Sequence, residues 1–369
     1  MSEKKVFSIE RISFLAAICM FLSVVEYAIP KPLPFLRLGL ANLPILISIK
    51  KLSVREILTL ILLKILMQAL VSGTLFSYII LFSLSGSIAS GLIMLIGHLI
   101  FYRTGFVSNI GLSLIGSFAN CSMQLICTRF LMFGQNVKYV APILLISSFI
   151  TGLALGIFAN IFENRSRWFS EFCGNPDAFK VDVSKNTEFV HRKSTGRKMK
   201  CKFVENLWKN SVFRLIFSLV FMLILMFVKN LWVQISIVSL FFILVAIKKR
   251  GKIRWIPSLA VLISVTFFSL LTPLGKVLFT LGSWKITLGA LISGLQRSFL
   301  LIGMVYISQF AVDKSLSLPG KIGSSIGYVF LIYDRLTVEK TSFKGKNAID
   351  LIDEKLIQVI ESLKNGRND

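Results

Sequence analysis

The 369-residue chain is 54% hydrophobic, only 16% of its residues are charged, and its mean hydropathy is +0.75. Soluble domains carry about 25% charged residues, so this composition excludes an ordinary soluble enzyme and requires surrounding lipid. A net charge of +24 would suggest a nucleic-acid partner for a soluble protein. Here the basic residues cluster between apolar segments, as the positive-inside rule requires, and no RNA-reading motif accompanies them, so we expect no nucleic-acid partner.

Long uncharged runs indicate that the membrane segments are helices. The stretches 104–128, 139–162 and 255–275 contain no Asp, Glu, Lys or Arg, and roughly 20 apolar residues cross the hydrocarbon core as a helix. A β-barrel would instead show segments of about ten residues with alternating polarity. We predict an all-α fold, a polytopic helical membrane protein with about ten transmembrane segments in two bundles.

Composition divides the chain into a six-helix membrane domain, a basic linker, a bundle of about four helices and an amphipathic tail. These parts are expected at 1–162, 163–211, 212–336 and 337–369. The expected membrane segments are 12–29, 38–49, 55–71, 86–103, 107–131, 139–162, 212–229, 230–247, 256–272 and 286–311. The first is expected to be a retained helix. The second is too short for a full span, which predicts a broken or re-entrant helix.

The last part of the chain, 347–363, has the pattern of an amphipathic helix. Its apolar stripe consists of Ile349, Ile352, Leu356, Val359, Ile360 and Leu363. Two interpretations stay open: the helix lies on a membrane surface or a partner, or it packs on the protein's own cytoplasmic loops.

The distribution of basic residues predicts an inner-membrane topology. With a cytoplasmic N-terminus, Lys50-Lys51, Arg103, the 163–211 linker, the 248–254 loop and the C-terminus all lie on the cytoplasmic face. The outward loops then carry only scattered lysines and arginines, so the charge bias agrees at each place.

A proline-rich entry at 30–37 leads into Gly39, Ala41 and Asn42 and then Pro44. Prolines stiffen the entry, and small residues allow the backbone to approach closely where the short helix begins. Broken helices expose backbone groups that a ligand pocket can satisfy. The alternative is a proline-capped loop that only packs on its neighbours.

Ionisable and amide side chains within the spans are further candidates for a binding site. Lys64 lies midway along the third segment and is too deep to reach the interface, whereas Glu26 is expected to extend to the outer interface and Arg297 lies in the last long segment. Asn120 and Gln124 share one helix face, either to bind a polar ligand or to join helices. The candidate substrate-binding residues are therefore Gly39, Ala41, Asn42, Lys64, Asn120 and Gln124.

No catalytic or metal site follows from the motifs. The five cysteines show no C-x-x-C spacing, only two histidines are present, and there is neither a P-loop nor a D-D-x-x-D run. We expect no enzyme activity, no metal and no cofactor.

Residues 12–162 resemble the Gx transporter family, also labelled heptaprenyl diphosphate synthase component I. The resemblance rests on four stretches. The first two are Pro32-x-Pro34 followed by the Gly-Leu-Ala-Asn stretch at 39–42, and Lys64 followed by the Gly-Thr-Leu-Phe stretch at 73–76. The others are the Ser-Leu-Ser-Gly-Ser run at 83–87, and Gly111-x-Ser113-x-x-Gly116 followed by Asn120 and Gln124. The family usually has a histidine where Ala119 stands here, so the resemblance does not extend to that histidine's role. It implies a six-helix unit similar to the solute-binding S component of energy-coupling factor (ECF) transporters.

Residues 212–336 resemble, more weakly, the transmembrane T component of the same transporters, with 294–297 and Ser308-Gln309 near the membrane exit. T components continue into long coupling helices with Ala-Arg-Gly-like motifs, and this chain has at most a shortened counterpart at 332–336. The resemblance implies a small-molecule solute, membrane lipid and separate ATP-binding cassette ATPase subunits as partners. The alternatives are a membrane component of an isoprenoid synthase and a scaffold without a ligand.

Overall fold

The computed structural model describes the membrane segments and the tail helix. The described residues are 3–28, 38–101, 108–174, 211–249, 255–273, 275–281, 284–312, 321–338 and 348–365. The proline-rich entry and most of the basic linker lie outside them.

Seven helices make up the described part of the first half, interrupted by short 3-10 and π-helical turns. They are α1 (Glu3–Ala28), α2 (Leu43–Ser48), α3 (Val54–Ser72), α4 (Tyr78–Phe101), α5 (Asn109–Thr128), α6 (Val137–Arg165) and α7 (Arg167–Gly174). A 3-10 turn at Leu40–Asn42 precedes α2, which has only six residues. The second segment is thus short and broken, as its length predicted.

Local sequence explains where two of these helices begin. The Glu56 carboxylate accepts a 2.8 Å hydrogen bond from the Ser53 backbone N–H, and the two residues form a capping box at the start of α3. Pro44 stands in the first turn of α2, where its missing N–H removes no helical hydrogen bond.

The second half contains helices and one β-hairpin. Its elements are α8 (Ser211–Phe227), α9 (Leu231–Lys248), α10 (Ile256–Leu270), β1 (Val277–Leu281), β2 (Trp284–Thr287), α11 (Leu288–Ala311), α12 (Lys321–Val338) and α13 (Ala348–Asn365). The strands pair antiparallel from Val277–Thr287 to Leu281–Trp284. The all-α prediction omitted this hairpin, whose β-branched and aromatic residues favour strands.

Several helices have the length and composition of membrane spans. Four helical stretches qualify among the described residues, and one of them, Asn109–Arg165, has 57 residues and contains both α5 and α6. Two shorter apolar helices, Phe213–Phe227 and Ile256–Leu270, accompany them. Many large apolar side chains on these helices are exposed, as lipid-facing surfaces require. The chain is therefore a helical membrane protein, although the count of ten spans is not confirmed.

The apolar core has two parts, and α12 joins the first of them. Ile326, Val329 and Ile332 of α12 are buried in the cluster formed by α1, α2 and α3. The helix α12 thus packs on α1 and α3 of the first half.

The tail helix α13 packs on the protein itself. Leu356, Val359 and Ile360 of its apolar stripe are buried in the same cluster. The buried Asp353 carboxylate accepts hydrogen bonds from the Ser166 hydroxyl and from the backbone N–H groups of Arg167 (3.2 Å) and Trp168 (3.0 Å). An acidic group at the start of α7 complements the positive end of that helix. The structure therefore agrees with the second interpretation of the tail, in which α13 packs on the protein's own chain.

The Ser308 hydroxyl makes one of the contacts between the two halves. The Ser308 hydroxyl of α11 donates to the Gly73 carbonyl (2.9 Å) and accepts from the Phe76 backbone N–H (3.0 Å). Nearby, Lys248 donates to the carbonyls of Gln309, Phe310 and Val312, so a cation caps the negative end of α11.

This contact bears on the expected topology. After the cytoplasmic Lys50-Lys51, α3 should end on the outer face, whereas α11 should end on the cytoplasmic face. With upright spans in a flat bilayer these two ends would lie on opposite faces, whereas the structure brings them together.

We expect Ser308→Ala to lower the free energy of unfolding by about 1–2 kcal/mol, because the Gly73 carbonyl and the Phe76 N–H both lose their partner. Thermal unfolding in detergent measures the effect. Ser293→Ala is the control, since Ser293 on the same helix donates only to the Ala290 carbonyl within α11. Equal stability of the two variants would contradict the assigned role of Ser308.

We expect Asp353→Asn to speed hydrogen exchange of α13 and of the first turn of α7, because an amide cannot accept all three hydrogen bonds as a charged carboxylate does. Asp350→Asn is the control, since Asp350 is exposed on the same helix. Unchanged exchange in the Asp353 variant would show that this cap does not hold the tail in place.

Candidate functional site

The broken second segment begins at a backbone conformation that favours glycine. Gly39 has φ +88°, in the left-handed region. Its carbonyl accepts a 2.8 Å hydrogen bond from the Asn42 backbone N–H. Just before it, the Leu38 backbone N–H donates to the Glu26 carboxylate at 2.8 Å. This geometry turns the chain into the bundle and carries Asn42 inward.

Lys64 lies at the centre of the site. Its side chain is only 2% exposed, and its ammonium donates to the Asn42 side-chain oxygen and to the Ser87 hydroxyl at 3.1 Å. The Asn42 amide nitrogen donates in turn to the Ser90 hydroxyl at 3.3 Å. Burying an ammonium is unfavourable unless polar groups surround it. The short segment and α4 supply such groups, so they position the cation.

Asn120 of α5 completes the cluster from the opposite side. An added Cβ at Gly86 would overlap the Asn120 side-chain oxygen, so α4 must have glycine there for Asn120 to pack against it. An added Cβ at Gly39 would lie 3.5 Å from the Asn42 amide nitrogen and 3.8 Å from that of Asn120. The two amides therefore converge beside Gly39.

Two small polar cavities flank this cluster. One, of about 20 Å³, is lined by Gly39, Asn42, Ser90 and Asn120 among others. The second, of about 10 Å³, lies between Asn120 and Gln124. Since roughly 10–15 Å³ is needed for one water, these cavities are water-sized in the present arrangement.

The structure thus brings five of the six candidate residues close together. Gly39, Ala41 and Asn42 share one turn that contacts Lys64 and Asn120, and Ala41 is buried. Gln124 is 1% exposed and lines only the second cavity. Lys64 and Asn42 point toward each other inside the bundle, and neither faces lipid. The predicted role of these residues in binding stays a prediction.

Three polar residues were missed or misplaced from the sequence. Glu26 was expected to extend to the interface, but it is buried and holds the Leu38 N–H. The expectation failed because the chain returns over the end of α1. Ser87 and Ser90 were not among the candidate residues, yet their spacing of three on a helix could have marked a polar face.

Arg297 is exposed, and it donates to the Met132 carbonyl at 3.3 Å. This hydrogen bond joins α11 to the turn after α5. Because Arg297 lies outside the polar cluster, it is not part of the candidate site.

A larger cavity runs beside the polar cluster. It has a volume of about 390 Å³ and is lined almost wholly by apolar side chains of α1, α2, α6, α7, α12 and α13. Among the described residues, no group of three or more His, Cys, Asp or Glu could hold a metal ion.

Comparison with known proteins links the first half to one family. Residues 15–162 match the family model described as heptaprenyl diphosphate synthase component I. Residues 210–314 match a domain of unknown function. No curated protein and no solved structure matches the chain. The candidate site lies entirely within the first matched region.

We expect Gly86→Ala to lower the free energy of unfolding by about 1–3 kcal/mol, because the new methyl group overlaps the Asn120 side chain. The loss should be smaller in an Asn120→Ala background, where that overlap is removed. Thermal unfolding of the single and double variants measures the coupling.

Gly111→Ala is the matched control, since an added Cβ at this α5 glycine meets nothing within 4 Å. A Gly86 loss that is independent of Asn120, or equal to the loss for Gly111, would contradict the close approach of α4 and α5.

Proposed function

We propose that the first half binds a small solute with an anionic or hydrogen-bonding group at Lys64, Asn42 and Asn120. On this proposal the chain is the solute-binding and membrane-coupling subunit of an ECF-type uptake transporter. The observation that carries it is the convergence of polar side chains from the short segment, α3, α4 and α5: the buried Lys64 ammonium donates to the Asn42 side-chain oxygen and to the Ser87 hydroxyl, and the Asn42 and Asn120 amides meet beside Gly39. Buried ionisable and amide groups within membrane segments are typical of substrate sites.

Solute entry on this proposal requires movement of the short segment. The two polar cavities of about 20 and 10 Å³ are too small for a metabolite. The six-residue α2 makes only about 1.7 turns, so it is the shortest α-helix in the described part of the bundle and has few internal hydrogen bonds. Displacement of 38–48 away from α4 would open the space around Asn42 and Asn120.

The second half would couple this movement to separate ATPase subunits. The sequence has no P-loop, so ATP must be hydrolysed elsewhere. The contact between Ser308 and the 73–76 turn directly follows the helix that carries Lys64. We place the N-terminus, the 163–211 linker and the tail on the cytoplasmic face of the inner membrane. This placement requires that the axes of the two bundles not be parallel, so that the ends of α3 and α11 can meet.

The second candidate function is a membrane component of an isoprenoid synthase. The description of the family model that matches residues 15–162 favours it. Against it stands the sequence, which has no clustered aspartates to hold magnesium and a diphosphate. The two candidates differ in what the purified chain should retain.

We expect mild purification of the full chain to retain a small solute, identified by mass spectrometry, together with ATP-binding subunits. Lys64→Gln and Asn120→Ala should each reduce the retained solute at least about tenfold, since each removes a buried polar contact. Lys138→Gln is the control, because Lys138 is exposed and lies over the Tyr139 ring.

Equal retention by Lys64→Gln and Lys138→Gln would reject the site. Prenyl-chain synthesis reconstituted from this chain and a soluble partner would reject transport in favour of the second candidate.

A further inference from the structure

The 390 Å³ cavity has the size of a ligand site and lies apart from the polar cluster. Small-molecule sites have volumes of about 300–1,000 Å³ and mostly apolar linings. The lining follows α1 from Leu15 to Val25, which at 1.5 Å per residue corresponds to a groove about 15 Å long. Such a shape fits one extended apolar chain.

The chemistry of the lining is apolar with one charged exception. Leu22, Pro44 and Phe158 are typical of the wall. Lys355 of α13 is the charged member of the lining, and its ammonium lies 5.3 Å from the centre of the Phe21 ring. A ligand in the groove therefore meets apolar surface along most of its length and a cation at one place.

Two leucine side chains separate this groove from the candidate solute site. Leu43 and Leu155 line both the groove and the 20 Å³ polar cavity. The groove is therefore a distinct compartment, and an occupant does not have to displace Asn42 or Lys64.

We propose that the groove binds a free anionic amphiphile with a single apolar chain, placed along α1 with its negative head at Lys355. The apolar lining selects the chain, since its burial is favourable at about 25 cal/mol per Å². The positive charge of the Lys355 ammonium favours a negatively charged head group on the ligand. Phosphate, diphosphate and carboxylate heads share this chemistry.

The tail helix completes the site. Ile352, Lys355 and Leu356 of α13 form part of the lining, and Asp353 on the same helix holds α13 against α7. The groove is therefore complete only while the tail is docked, and ligand binding should stabilise that docking.

The test measures binding of three probes to the full chain in nanodiscs of zwitterionic lipid. Farnesyl diphosphate and palmitate are the anionic probes, and they distinguish a phosphate head from a carboxylate head. Farnesol is the uncharged probe. We expect saturable binding of at least one anionic probe, weakened about fivefold to tenfold by Lys355→Gln. Farnesol binding should not change in that variant, and Lys138→Gln should not change any affinity.

A second variant tests the groove itself. Ala154→Trp places a large ring in the groove from an exposed position on α6 and should abolish binding of all probes. Leu153→Trp is the control, because Leu153 is exposed on the same helix and does not line the groove. Lys64→Gln should leave binding intact, which separates this site from the proposed solute site.

Three outcomes would overturn the proposal. These are no saturable binding of either anionic probe, equal binding by the Ala154 and Leu153 variants, and unchanged affinity of the Lys355→Gln variant for every anionic probe that binds. Competition by anionic phospholipid added to the nanodisc would likewise assign the groove to bilayer lipid.

Discussion

The burial of one ammonium is the constraint on which the first half depends. Lys64 cannot reach water from the middle of α3, so polar atoms must come to it. The Asn42 and Ser87 oxygens do so. Asn42 can reach Lys64 only because the chain turns at Gly39 and enters the bundle as a short, broken helix. The buried cation and the broken helix thus stabilise each other. The Asn42 side chain accepts a hydrogen bond from the Lys64 ammonium, which lipid could not do.

The two halves are joined by polar contacts at chain ends. Ser308 binds the turn after α3, and Lys248 neutralises the negative end of α11 close by. The return of α12 to α1 and of α13 to α7 then places the end of the chain against the beginning. The packing of the two halves thus depends on contacts between residues far apart in the chain.

The polar cluster and the groove are adjacent and differ in chemistry, and Leu43 and Leu155 line both the groove and the cavity beside the cluster. The polar cluster is almost filled by its own side chains, whereas the groove has room for a ligand but offers almost no hydrogen bonds. Opening of the short segment would change both sites, because Leu43 belongs to that segment.

The sequence by itself determined the helical membrane class, the short second segment and the amphipathic tail, because hydropathy and periodicity are local properties of the chain. It also singled out Lys64, Asn42 and Asn120, since polar groups in apolar runs are expensive. Only the tertiary structure decided that Glu26 is buried, that Ser87 and Ser90 face the cation, and that Asp353 caps α7. These depend on contacts between residues far apart in the chain. The docking of α12 on α1 and the groove beside it were decided in the same way, because no local pattern specifies which apolar faces meet.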